Sequence, residues 1–296
     1  MYRFHNEQHV FDVGGVAFGG QPGERKPVLV GSLFYPGHSI VEDRIGGGVK
    51  RDSLERVLSD LEEAASSTSF PASLMLYAET AEAISSYLEM VSGLTDLPLF
   101  IDSPSPEVRI GGAMRAREMG LEDRVVYNSL SAGTSPDELA GLRDSGVKAA
   151  VLLAFNPVSL GAKGKIYLLE DGGGILREGL VELAKKHGID KPLIDLAVMS
   201  IEQGAGTALK ALIVSKAKWG LPSGCALHNA VESWPPVLKA REKDKLLFRY
   251  VDVSSAVIPI MAGADFVMYG PIEYSKRVFL AAAFAHELSV QAVSDL

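Results

Sequence analysis

The sequence predicts a (β/α)8 TIM barrel, a closed ring of eight parallel strands wrapped by helices. Three observations lead there. Short runs rich in Val, Ile, Leu and Tyr alternate with amphipathic stretches, eight such runs can be counted, and polar residues of one kind gather where the runs end. In order, the strand-length runs are residues 28–34, 73–78, 97–102, 124–128, 149–155, 192–197, 224–229 and 265–269. Their near-continuous apolar character suits strands buried on both faces, as in a parallel sheet covered by helices. Helical spacing of apolar residues is clearest over 53–65, 83–91, 174–186 and 205–218. A doubly wound open sheet is the rival architecture, but it rarely needs eight strands, and no G-x-G-x-x-G follows the first run. Ahead of that run, residues 11–18 read as a β-hairpin turning at Gly14 and Gly15, placed to plug the barrel's bottom. The chain, 1–296, is read as one domain, since neither an internal repeat nor a linker interrupts it.

A hydrophobic content of 47% over 296 residues is enough for one large core. With 29 basic against 37 acidic residues, the net charge of -8 offers no broad positive surface to nucleic acid or anionic lipid. Cys225 is the only cysteine, which excludes an intramolecular disulfide and a cysteine-based cluster and fits a reducing cytoplasm. The first ten residues, with Arg3, His5, Glu7 and His9, are too polar for a secretory leader. Apolar runs such as 278–285 fall well short of the roughly 20 residues that cross a bilayer. A soluble, cytoplasmic protein is expected, with no nucleic-acid or membrane contact. Two glycine-rich loops, 36–50 and 156–174, follow strand ends and are read as solvated connections or as mobile covers over a substrate.

Polar residues at the strand ends mark where a barrel can do chemistry, because its interior is apolar. The tips are Tyr35, Glu79, Asp102, Asn128, Asn156, Asp195, Asn229 with Glu232, and Glu273. Carboxylates and carboxamides dominate. Only His38 and His228 lie near strand ends, which disfavours a zinc or iron site, so no metal ligand is assigned. Lys148 and Lys191 sit at strand beginnings, away from any Schiff-base chemistry, and no G-x-S-x-G occurs. Paired Asp and Asn side chains suit the edge of a flat heterocycle such as a pterin or purine. A carboxylate accepts two adjacent N–H groups, and a carboxamide both donates and accepts. Each tip residue has an alternative role as a cap on the helix that follows.

Residues 18–24 (FGGQPGE), 31–37 (GSLFYPG) and 101–107 (IDSPSPE) resemble the H-subunit family of tetrahydromethanopterin S-methyltransferase, together with its bacterial tetrahydrofolate methyltransferase relatives of the glycine betaine pathway type. The resemblance runs over essentially the whole chain. It implies a pterin-binding TIM barrel that moves a methyl group from methylcobalamin, or from a methylated corrinoid protein, to N5 of tetrahydrofolate. A more distant similarity to methyltetrahydrofolate:corrinoid methyltransferases implies that Asp102, Asn128 and Asp195 bind the pterin and that Asn229, in ALHNAV, serves N5 as the catalytic residue. Glu79, Asn156, Gln203 and Glu232 are possible supporting residues. Where those relatives carry threonine after the serine of their Asp and Asn motifs, this chain has Pro104 and Leu130. No D-x-H-x-x-G cobalamin motif is visible, so the corrinoid is expected on a separate protein or free, docking over the mouth. A homodimer is a further implication.

Strand alternation predicts that His228 packs away from Asn229. Gly204 and Gly206 precede a helix beginning near Thr207, where backbone N–H groups suit an anionic tail or simply start the helix. Two other functions stay open. One is a tetrahydromethanopterin-specific H subunit acting only within a multi-subunit complex. The other is a condensation like that of dihydropteroate synthase, disfavoured because residues 269–274 (YGPIEY) bring no basic group to the last strand for a diphosphate.

Overall fold

A computed structural model describes residues 3–295, and they form the expected closed barrel of eight parallel strands. The barrel strands are β1 (Val28–Leu33), β2 (Ala72–Tyr77), β3 (Leu99–Asp102), β4 (Val125–Leu130), β5 (Ala149–Leu153), β6 (Lys191–Asp195), β7 (Ser223–Cys225) and β8 (Phe266–Pro271). Each pairs with its sequence neighbour, and β8 closes the ring on β1 through pairs such as Phe266 with Val28 and Met268 with Val30.

Alternation along the strands divides the core in two. Inward side chains, among them Val28, Val30, Phe100, Val126, Val151 and Leu193, fill the lumen. Outward ones, such as Leu29, Leu74, Leu99, Ile101 and Ile194, join the larger cluster beneath the helices. Helices Arg51–Thr68 and Ala81–Ser92 show why the local sequence folds this way. Each buries one stripe, Leu54, Leu58 and Leu61 in the first and Ile84, Leu88 and Val91 in the second. The second is capped by Thr80, whose hydroxyl accepts from the Ala83 N–H.

The hairpin lies at the amino-terminal end of the barrel, with arms Val10–Val13 and Val16–Gly19. Gly14 and Gly15 have φ of 55° and 82°, the left-handed values that a tight hairpin turn requires. Val13 and Phe18 are fully buried in the lumen cluster, and Phe18 lies 6.3 Å from the rings of Phe100 and Phe266. One buried ion pair ties this end together. Lys216, on helix Gly206–Trp219, places Nζ 2.5 and 2.6 Å from the two Asp265 carboxylate oxygens and donates to the Gly20 carbonyl. Asp265 Oδ2 also accepts from the Ser223 N–H at the start of β7.

Four expectations change. The run 224–229 is a strand only to Cys225, and His228–Glu232 is a short helix, because ALHNAV carries no period that separates strand from helix. The loop 36–50 contains a small antiparallel pair, Val41–Asp43 with Gly48–Val49. The loop 156–174 contains a helix, Ala162–Glu170, whereas the helix expected over 174–186 begins only at Leu180. Between β7 and β8 lie two further helices, Pro235–Lys243 and Lys245–Met261. Among the described residues no helix is long and apolar enough to cross a membrane.

Removing one partner of a buried ion pair strands the other charge, which typically costs about 3–5 kcal/mol. Lys216→Met should lower the unfolding free energy in urea by that amount, and Lys216→Met/Asp265→Asn should recover much of it. A single variant as stable as the native protein would show that the pair does not hold the plug.

Candidate active site at the barrel mouth

The last inward position of several strands is polar. Asp102 lies two residues beyond Phe100, Asn128 two beyond Val126 and Asp195 two beyond Leu193, so alternation turns all three toward the axis at the carboxyl-terminal end. Asp102 and Asn128 are also register partners on adjacent strands, and Asn128 Nδ2 donates to Asp102 Oδ1 at 3.0 Å. Together with Tyr77, Ser103, Ser129 and Leu153 they line an open cavity of about 580 Å³. That is the size of a small-molecule site. Burial pushes the Asp102 carboxyl up to about 6, against the opposing pull of Arg109 and the Asn128 hydrogen bond.

Arg109, which carries no strand-end signature, fixes the loop that bears Asp102. It donates to the Ser103 carbonyl at 2.6 Å, to Glu138 Oε1 at 2.5 Å and to the Tyr127 hydroxyl at 3.2 Å. Tyr127 also donates to Glu138. Two helices, Pro106–Glu118 and Pro136–Ser145, are thereby joined at the wall of the cavity, which Arg109 and Glu138 also line. A sequence signal existed, since Arg109 occupies the same buried helix face as Gly112, Ala113 and Ala116. A cation on an apolar stripe needs a buried partner.

Asp195 is buried and does not line the Asp102 cavity. Its Oδ1 accepts from the Ala197 N–H at 2.9 Å, and the Ala197 carbonyl accepts from Lys165 Nζ at 2.7 Å. Ala197 has φ of 43°, an uncommon value for a residue with a Cβ, held here by hydrogen bonds on both sides of the residue. Burial pushes Asp195 up to about 6 and Lys165 down, while each opposes the other's shift. Lys165 was likewise invisible as a functional residue, although it lies on the buried side of its helix with Ile166, Leu168 and Leu169.

Asn229 is a correction at the site. It stands on the short helix after β7 rather than on the strand, exposed at the mouth, and its Nδ2 donates to the Val198 carbonyl at 2.8 Å. That contact joins the loops after β6 and β7 and leaves Oδ1 as the open end of the amide. His228 stands on that helix too and not on a strand, yet it packs away from the exposed Asn229 as expected, buried with Nδ1 2.6 Å from Asp252 Oδ1.

The supporting residues scatter. Asn156 is buried and spent on its own loop, accepting from the Val158 and Ser159 N–H groups and donating to the Gly164 and Gly173 carbonyls. Glu79 pairs with Arg44 at 2.9 Å, and Glu232 pairs with Arg241 at 3.1 Å. Gln203 is exposed in the turn before helix Gly206–Trp219. Glu273 accepts from the Tyr35 hydroxyl and lies 2.8 Å from His38 Nε2, a cluster beside β1 and β8.

The raised Asp102 carboxyl makes a signed prediction. An unfolded aspartate ionises near 3.8 and this one near 6, so the native state bears a penalty that grows as pH rises from about 4 to 6 and then stays constant. Its upper bound is roughly 3 kcal/mol. Asp102→Asn keeps an oxygen for Asn128 and removes the penalty. Its Tm should exceed the native Tm at pH 7.5, with the gain vanishing near pH 4. A gain that does not depend on pH would contradict the assignment.

Comparison with known proteins places the chain in a family. Residues 6–296 match the model of the tetrahydromethanopterin S-methyltransferase MtrH subunit. The H subunit of tetrahydromethanopterin S-methyltransferase from Methanothermobacter marburgensis is 43% identical over 296 residues, covering 100% of this chain and 96% of that protein. The H subunit of the putative methyltransferase mtx from Methanosarcina mazei is 38% identical with the same coverage. Among solved structures, Yersinia pestis dihydropteroate synthase with a pterin-sulfa conjugate superposes with a TM-score of 0.65 at 14% identity, covering 96% of this chain and 100% of that one, a likeness of fold alone. With the match spanning nearly every residue, the chain belongs to the MtrH family of methyltransferase subunits.

Proposed function

We propose that this protein moves a methyl group between a corrinoid cobalt and N5 of a reduced pterin, with the pterin ring held in the Asp102–Asn128 cavity. The observation that carries this reading is the hydrogen-bonded Asp102–Asn128 pair, which lines a cavity of about 580 Å³ at the mouth of a barrel of this family. Asn128 spends its Nδ2 on Asp102, so its Oδ1 and the second Asp102 oxygen are open to the adjacent N–H groups of a pterin edge. Each charge-assisted bond made there contributes about 1.5–3 kcal/mol, enough to orient a planar ring.

The relatives' names speak for tetrahydromethanopterin, and we take it as the pterin in place of the tetrahydrofolate expected from sequence. In the direction of pterin methylation, the N5 lone pair attacks the methyl carbon. The carbon–cobalt bond breaks with its electron pair on cobalt, and the N5 proton leaves. No protein nucleophile is needed, so the chain contributes positioning, worth up to about 7–11 kcal/mol in well-aligned reactions. Asn229 Oδ1 is available to accept from N5–H as positive charge develops there, a role that calls for no titration. Glu79 and Glu232 are both engaged by arginines, which leaves water at the open mouth as the proton acceptor. The corrinoid is supplied by a methylated corrinoid protein or as methylcobalamin, in keeping with relatives described as subunits. For the homodimer, Leu280, Phe284 and Leu288 provide an exposed apolar stripe at four-residue spacing on the last helix.

The test is methyl transfer from methylcobalamin to tetrahydromethanopterin and to tetrahydrofolate, with the chain alone and with a corrinoid protein. Tetrahydromethanopterin should give the higher kcat/KM. Asp102→Ala should raise KM for the pterin, and Asn229→Ala should lower kcat by about 10- to 100-fold with little change in KM. A preference for tetrahydrofolate would overturn the choice of pterin, and unchanged kinetics in both variants would remove the proposed site.

A further inference from the structure

Across the mouth from Asp102 and Asn128, where helices Pro235–Lys243 and Lys245–Met261 lead from β7 back to β8, lies a second cavity of about 260 Å³. Four of the residues lining it are cations: Arg241, Lys245, Arg249 and Arg277. The concentration is local. Residues 235–250 carry Lys239, Arg241, Lys243, Lys245 and Arg249 against Glu242 and Asp244, in a chain whose net charge is -8. Residues 269–274 themselves hold no cation; the fold brings Arg241, Lys245 and Arg249 from the preceding connection, and Arg277 comes from the last helix, Ser275–Ser294.

Two of the four are held rigidly. Arg241 stacks over the Phe248 ring at 4.8 Å while paired with Glu232, and Arg277 stacks over Tyr274 at 3.5 Å while paired with Asp252. Arg277 Nε is buried with no hydrogen-bond acceptor among the described residues. Lys245 and Arg249 have no carboxylate partner among the described residues. The one carboxylate in the lining, Glu273, is already taken by His38 and Tyr35. Pinned planar guanidinium groups beside two unpaired cations form a pre-organised receptor for oxygen anions. The cavity has room for a phosphate or a carboxylate-bearing fragment.

We propose that this cavity is an oxyanion site for a phosphate or carboxylate carried by a molecule whose reacting end lies in the barrel mouth. It rests on the methyl-transfer reading for its two sources, the phosphodiester of a corrinoid's nucleotide arm and the anionic tail of the pterin. Both present the same chemistry to the cations, and the reacting centre is tethered in either case.

The first measurement is independent of methyl transfer. Inorganic pyrophosphate, titrated calorimetrically into the isolated chain, should bind saturably and weaken with added salt. Affinity should fall at least tenfold in Lys245→Ala/Arg249→Ala and stay unchanged in Lys210→Ala, which removes an exposed cation elsewhere. No saturable binding, or equal loss in both variants, overturns the site. Kinetics then separate the sources. If the corrinoid supplies the anion, the preference for methylcobalamin over methylcobinamide, which lacks the phosphodiester, falls at least tenfold in the double variant. If the pterin supplies it, the advantage of tetrahydromethanopterin over the same reduced pterin truncated to remove its anionic tail falls at least tenfold instead. Loss of pyrophosphate binding with both preferences intact overturns the link to these ligands.

Discussion

Closure of eight parallel strands into a barrel is the constraint from which the rest follows. Once the ring is closed, alternation allows no choice about which residues face the axis, and most of the inward positions below the last are apolar. At that level Tyr77, Asp102, Asn128 and Asp195 replace the aliphatic filling. The site is therefore not an addition to the fold. It is the topmost layer of the core with its polarity changed, and the cavity exists because that layer is not packed shut.

A polar layer on an apolar column is expensive, and buried charged partners offset part of the cost. Arg109 and Glu138 brace the loop after β3, and Lys165 braces the turn after β6, so each inward carboxyl has a buried cation in its vicinity. Neither arrangement fully compensates, since both carboxyls still sit near 6. A group held near neutrality, partly desolvated and rigidly aimed, is common where a protein recognises or reacts with a ligand. At the opposite end of the barrel Lys216 and Asp265 pair directly, with the Gly20 carbonyl and the Ser223 N–H as further partners, and burial raises the Asp265 carboxyl there too.

The fold was legible because strands buried on both faces and helices with one apolar stripe leave different periods in the sequence. For the same reason Asp102, Asn128 and Asp195 could be named, as residues that end strands. Legibility failed where the strand ended early. Beyond Cys225 the chain turns into a helix, so strand reasoning put His228 and Asn229 on a strand that neither occupies. Asn156 looked like the other tips, yet four backbone groups of its own loop claim it, and no composition signal distinguishes that from a ligand contact. The buried cations Arg109 and Lys165 were missed because charge in a helix is ordinarily read as a solvated face. The basic cavity near β8 escaped because three of its four cations, Arg241, Lys245 and Arg249, come from the helices before β8 and not from the strand end itself.

Where a reduced pterin sits decides whether the polar layer is a binding site. A crystal structure of the protein with tetrahydromethanopterin should place the pyrimidine edge of the ring within hydrogen-bonding distance of the carboxylate on β3 and the carboxamide on β4, with N5 turned toward the open mouth. A ring found instead among the arginines beside β8, or on the outer surface of the barrel, would contradict that placement and the methyl-transfer geometry built on it.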